Sequence, residues 1–130
     1  MKSLVPDRMA APFGNYSHGV AAGGMIVTSG QLGLAADGTV PDGVTAQAEL
    51  CFANIHAILA EAGADLSHVL RFTAFVTRRD DMAAYMAVRD RWVRGLKVKP
   101  ASTLLIVDGF TRPEFLVEVE AMALVPSSPN

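Results

Sequence analysis

The chain has one cysteine, Cys51, so no internal disulfide can form, and the expected compartment is the reducing cytoplasm. No apolar run reaches the roughly 18 residues that a membrane span needs. The start, MKSLVPDRMAAPFG, carries Pro and Asp where a secretory leader would be apolar, so neither leader nor membrane segment is expected. Charge of one sign is lacking too. A formal net charge of −2 gives no electrostatic reason to expect nucleic acid as a partner. The three histidines, His18, His56 and His68, are scattered and have no metal-ligand spacing. There is no internal repeat, and the only biased stretch is a short tail over 125–130, read as loose.

What is present is apolar. Hydrophobic residues make up 51% of 130 residues, the length of one domain spanning 1–130. A surplus of apolar residues with no membrane segment points to subunits burying it against each other. Arginines gather in the second half (Arg71, Arg78, Arg79, Arg89, Arg91, Arg94) but alternate with Asp80, Asp81 and Asp90, as on a solvated mixed-sign surface.

Turn signals at Gly23-Gly24 and Asp37-Gly38 predict antiparallel strands over residues 17–40, Met25–Ser29 among them. Ala48, Cys51, Phe52, Ile55, Ile58, Leu59 and Ala62 recur at helical spacing, with Asp42 as the expected cap and Gly63 as the stop. Cys51 falls on that buried stripe and reads as an inert packed thiol; His56 reads as surface. HVLRFTAFVT predicts a strand. A second helix follows, with Met82, Tyr85, Trp92, Val93 and Leu96 on one stripe. Arg89 interrupts it, so its stem packs while its head reaches a partner or water. ASTLLIVDGF and EFLVEVEAMALV then predict a closing antiparallel pair. The expected order is β-β-β-α-β-α-β-β, an α+β sandwich of one sheet with helices on one face. The other face is left for oligomerisation.

The last strand carries the chemical question. Alternation puts Phe115, Val117, Val119, Ala121, Ala123 and Val125 on one apolar face. Leu116, Glu118, Glu120, Met122 and Leu124 share the other. A carboxylate among large apolar groups lies at the edge of a buried surface or inside a site, where lost water raises its pKa.

Five segments in order, PFGNYSHGV, IVTSGQLGL, AQAELCFANIHAILAEAGADLSHVLRFTAFVT, KPASTLL and VEVEAMAL, resemble the Rid family (reactive intermediate deaminases, also called YjgF or L-PSP) from about Pro12 to Leu124. The resemblance implies a chorismate-mutase-like fold and a homotrimer, with the open sheet faces around a central barrel and sites in the clefts between subunits. It implies hydrolysis of small 2-imino or enamine acids to the keto acid and ammonia, with no cofactor. It makes Glu118 the catalytic acid–base residue and Tyr16, Ser29 and Gly30 substrate-binding. Glu120, facing the same way, is kept as structural, paired with an arginine. His18 is read as a surface or interface histidine.

The chain departs from the pattern where the deaminase branch has an arginine that grips the substrate carboxylate. Ser102 stands there, and Leu104 replaces a nearby cysteine; by their aligned places both are expected to be substrate-binding as well. Serine has no equivalent of a two-pronged arginine grip. Arg112 and Lys99, on either side of the strand, are candidates to supply charge instead. Three functions remain open, in descending order: hydrolysis of an imine or enamine other than 2-iminobutanoate or 2-iminopropanoate, metabolite binding by a non-catalytic trimer, and endoribonuclease activity with inhibition of translation.

Overall fold

The computed structural model describes residues 1–127; the end of the expected tail lies outside them. In chain order the elements are β1 (Lys2–Leu4), β2 (Gly19–Ala22), β3 (Met25–Thr28), β4 (Gln31–Leu32), α1 (Val44–Ala60), β5 (Val69–Val76), α2 (Met82–Val93), β6 (Ala101–Ile106) and β7 (Val117–Leu124). They form one sheet in the order β1-β2-β3-β7-β5-β6, with β4 also paired to β7, and the two helices. The expected α+β class therefore holds. No helix among the described residues is long and apolar enough to cross a membrane.

Two expectations about strands need correction. The last two strands are not a pair: β5 lies between them, parallel to β6 and antiparallel to β7. Parallel neighbours require a crossover, and α2 supplies it. Asp37-Gly38 does make a turn, with Asp37 Oδ1 accepting from Thr39 N–H at 3.0 Å, but no second strand follows. Gly23-Gly24 does join a hairpin, β2 to β3, with φ of 58° and 80° that suit glycine.

The core forms where alternation and helical spacing meet. Val117, Val119, Ala121 and Ala123 of β7 are buried beneath Ala48, Cys51, Phe52, Ile55, Ile58 and Leu59 of α1. Phe52 packs edge-on to Phe72 of β5 (centroids 5.1 Å apart) and stacks on Tyr85 and Trp92 of α2 at 6.0 and 6.1 Å. Burial pushes the Cys51 thiol far above its ordinary value, in keeping with an inert packed group. Helix α1 stops as expected. Gly63 takes φ 74°, and the N–H groups of Gly63 and Ala64 return to the carbonyls of Ala60 and Leu59. Its start differs, because Gly43 rather than Asp42 occupies the cap position, with no side-chain hydrogen bond. Val125 is tied to the first hairpin, its N–H donating to Gly24 O at 2.9 Å.

The sheet's other face has no cover within the chain. Register places Val27, Met122, Leu124, Phe75, Leu105 and both β7 glutamates on it. Val27, Met122 and Leu124 are 45%, 41% and 43% exposed, far above what an apolar core face would show.

Candidate functional site

A shift in strand pairing builds the site. β3 pairs with β7 up to Val27 opposite Met122, while β4 resumes with Gln31 opposite Val119. One extra residue lies between, a bulge at Ser29-Gly30. The ladder cannot satisfy the Ala121 N–H there, and Thr28 Oγ1 accepts it instead at 2.9 Å. The bulge presses Gly30 onto the Glu118 side chain. A Cβ at position 30 would lie 2.5 Å from Glu118 Cδ, so only glycine fits without moving the carboxyl.

Glu118, Tyr16, Ser29 and Gly30 all line one cavity of about 450 Å³, the size of a small-ligand pocket. Its apolar wall comes from the Met9–Phe13 segment and from Leu32 and Leu34. Tyr16 Oη accepts from Phe13 N–H at 3.1 Å, which leaves its own proton free. Ser29 Oγ donates to Ser17 O at 2.7 Å, which leaves its lone pairs free. The site thus offers a donor from Tyr16 and an acceptor from Ser29.

Glu118 is half-buried, and among the described residues its carboxylate accepts no hydrogen bond. Loss of water holds its pKa above the usual carboxylate value, and the charge of Glu120 on the same face adds to this. Glu120 itself makes no ion pair among the described residues, so the expected arginine partner is absent there.

His18 is buried rather than on the surface, and it lines the cavity. Its Nε2 lies 2.7 Å from Ala10 O, which can only accept, so Nε2 carries the proton. Nδ1 then faces the Gln31 amide at 3.5 Å. This pins the Met9–Phe13 wall to β4. The sequence held no signal for that role, since the partners are a backbone carbonyl and a residue on another strand. Asn54 and Thr111, which also line the cavity, were equally unmarked.

Ser102 and Leu104 do not join this group. Ser102 pairs with Phe72 and Leu104 with Ala74, on the helix-side face, whereas Glu118 pairs with Phe75 on the open face. Leu104 packs against the core. Neither proposed substitute bonds to Ser102. Lys99 Nζ donates to the carbonyls of Val93, Arg94 and Leu96 at 2.9–3.0 Å, capping the end of α2. Arg112 binds Glu114 at 2.5 Å and covers the Phe115 ring at 5.0 Å. The guanidinium at Ser102 belongs to Arg89, whose Nη1 is 3.4 Å from the serine Oγ.

A family model described as Endoribonuclease L-PSP matches residues 7–125. Protein DfrA of Myxococcus xanthus is 36% identical over 127 residues, covering 95% of each chain. The 2-iminobutanoate/2-iminopropanoate deaminase of Escherichia coli K12 is 30% identical over 125 residues, covering 95% of this chain and 97% of that one. The crystal structure of the E. coli YjgF gene product superposes with a TM-score of 0.89 at 30% identity, covering 95% and 98%.

Proposed function

The chain belongs to the endoribonuclease L-PSP family, which includes proteins named as reactive-intermediate and 2-imino acid deaminases, and from that premise we propose that it hydrolyses a small imine or enamine to a carbonyl compound and ammonia. The observation that carries this reading is Glu118: a half-buried carboxyl without a hydrogen-bond partner among the described residues, its pKa raised, in a cavity to which Tyr16 brings a donor and Ser29 an acceptor.

Glu118 serves as the acid–base group. It takes a proton from a water that adds to the C=N carbon and gives that proton to the nitrogen. In the resulting carbinolamine the C–N bond breaks as the hydroxyl proton leaves, again through Glu118, and ammonia departs. A carboxyl whose pKa sits above the ordinary range is suited to both transfers. Tyr16 and Ser29 hold the substrate, and Gly30 sets the carboxyl's position. The substrate differs from 2-iminobutanoate and 2-iminopropanoate, because Ser102 stands where the deaminase branch has arginine and the charge beside it arrives from α2. Ser102 and Glu118 lie on opposite faces of one sheet, so a site using both draws them from two copies of the chain. A homotrimer with the open faces around a central barrel meets that requirement and covers the exposed apolar face.

Endoribonuclease activity is not supported, because the lining of the cavity has a carboxylate and neither Lys nor Arg, unsuited to a phosphate backbone. The test is ammonia release from imines generated in situ from neutral, acidic and basic amino acids. At least one should turn over, and Glu118→Gln should slow it by about 10²–10⁴-fold. If every imine is untouched at high enzyme concentration, metabolite binding without chemistry replaces the proposal. Undiminished turnover by Glu118→Gln would remove that residue from the mechanism.

A further inference from the structure

A second cavity of about 480 Å³ opens on the helix-side face of the sheet, between α2 and the start of β6. Arg89, Arg94 and Lys99 line it with a single acid, Asp90. Ser102 lies at its edge, and Phe72 and Val93 give it an apolar floor. The proton transfers at Glu118 do not touch this cavity, whose part in the proposed site is limited to Ser102 and the charge beside it.

Arg89 is its unusual member. It stands in the apolar stripe of α2, and its side chain is only 23% exposed. A guanidinium placed so deeply is costly unless its donors are met. Nε and Nη2 are met, both by Asp90 Oδ1, at 3.1 and 3.0 Å. Nη1 has only Ser102 Oγ at 3.4 Å, long for a charged donor. One turn back on the same helix, the Tyr85 hydroxyl is fully buried with no partner, close enough for the Arg89 charge to act on it. The other two cations are differently disposed: Lys99 has three carbonyl partners, and Arg94 stands exposed at the rim. One underused edge of a half-buried guanidinium therefore faces a cavity with a hydroxyl beside it and apolar groups beneath.

We propose that this cavity binds a short-chain organic acid, with Arg89 Nη1 and the Ser102 hydroxyl on the carboxylate and Phe72 and Val93 against the aliphatic end. A planar guanidinium edge beside a hydroxyl matches the two oxygens of a carboxylate. Asp90, already on the other edge, disfavours a dianion. Arg89 thus supplies, from a helix, the positive charge that β6 lacks.

Calorimetric titration of the full chain reads this site directly. Propanoate should bind, while propanamide, its neutral counterpart, and inorganic phosphate should each bind about tenfold or more weakly. Arg89→Gln should weaken propanoate by about tenfold or more, and Arg89→Lys, which keeps the charge but not the fork, by less. Ser102→Ala should have a smaller effect than Arg89→Gln. Folding of each variant is checked by its melting transition, and the lysine variant carries the test if the glutamine variant does not fold. The proposal is overturned if propanoate fails to bind, if both Arg89 variants bind it as the parent does, or if propanamide or phosphate binds equally well. The result is separable from hydrolysis. A chain that binds propanoate through Arg89 but turns over no imine keeps this site and loses the deaminase proposal. Turnover without Arg89-dependent binding does the reverse.

Discussion

The two carboxylates of β7 stand two residues apart on one face, and lost water, then the charge of Glu120, hold the Glu118 carboxyl above its ordinary value. The loss of water has a local cause: Gly30 and the bulge close over Glu118, while Glu120 lies opposite Thr73 farther along the open face. A raised carboxyl pKa means that the folded chain holds its proton more tightly than the unfolded chain. Stability therefore falls as pH rises from the ordinary value of 4.5 through the raised one, and the cost is constant above that window. Glu118→Gln removes the cost. Its melting temperature should exceed the parent's at pH 7, by at most about 3 °C for a half-exposed group, and the two should converge below pH 4.5. A difference that did not change with pH would mean that burial of the charge is not its cause.

At the scale of elements, β7 delivers Glu118 correctly only if its entry is held, and α1 holds it. Gln47 is 1% exposed on that helix. Its Nε2 donates to Pro41 O at 3.0 Å and Glu114 O at 2.9 Å, and its Oε1 accepts from Leu116 N–H at 2.8 Å. The exit of β4 passes so close to this residue that a Cβ at Gly33 would lie 2.5 Å from the Gln47 Cβ. Gln47→Leu keeps the volume but strands one buried N–H and two carbonyls. It should destabilise the chain by about 3 kcal/mol in urea unfolding; a loss below about 1 kcal/mol would mean that the entry to β7 is held by packing alone. Helical spacing placed position 47 beside the buried stripe, but nothing local distinguishes a buried glutamine with three partners from a solvated one. The same holds for the bulge: MIVTSGQL reads as strand and turn, and only pairing with a distant β7 displays the extra residue.

At the scale of the molecule, the proposed trimer would both cover the exposed apolar face of the sheet and bring Glu118 of one copy to Ser102 of another. Light scattering should give a particle of three times 13.8 kDa. Met122→Asp, which places a charge at the middle of that face, should reduce it to a single chain, because an unpaired carboxylate is not buried without a large cost. A monomeric parent would remove the trimer from the proposal.

The sequence by itself determined the helices, the strand character of β5 to β7 and which side of β7 carries the acids, because these follow from periods of 3.6 and 2 along a few neighbouring residues. The likeness of five ordered segments to one family extended this to Tyr16, Ser29, Gly30 and Glu118, which the fold gathers in one cavity. Only the tertiary structure decided that β5 separates β6 from β7, that Gly30 closes on Glu118, and that Arg89, rather than Lys99 or Arg112, stands at Ser102. Those outcomes depend on the order in which strands pair and on the reach of long side chains across that order. Both are settled by packing among residues far apart in the chain, where local periodicity carries no information.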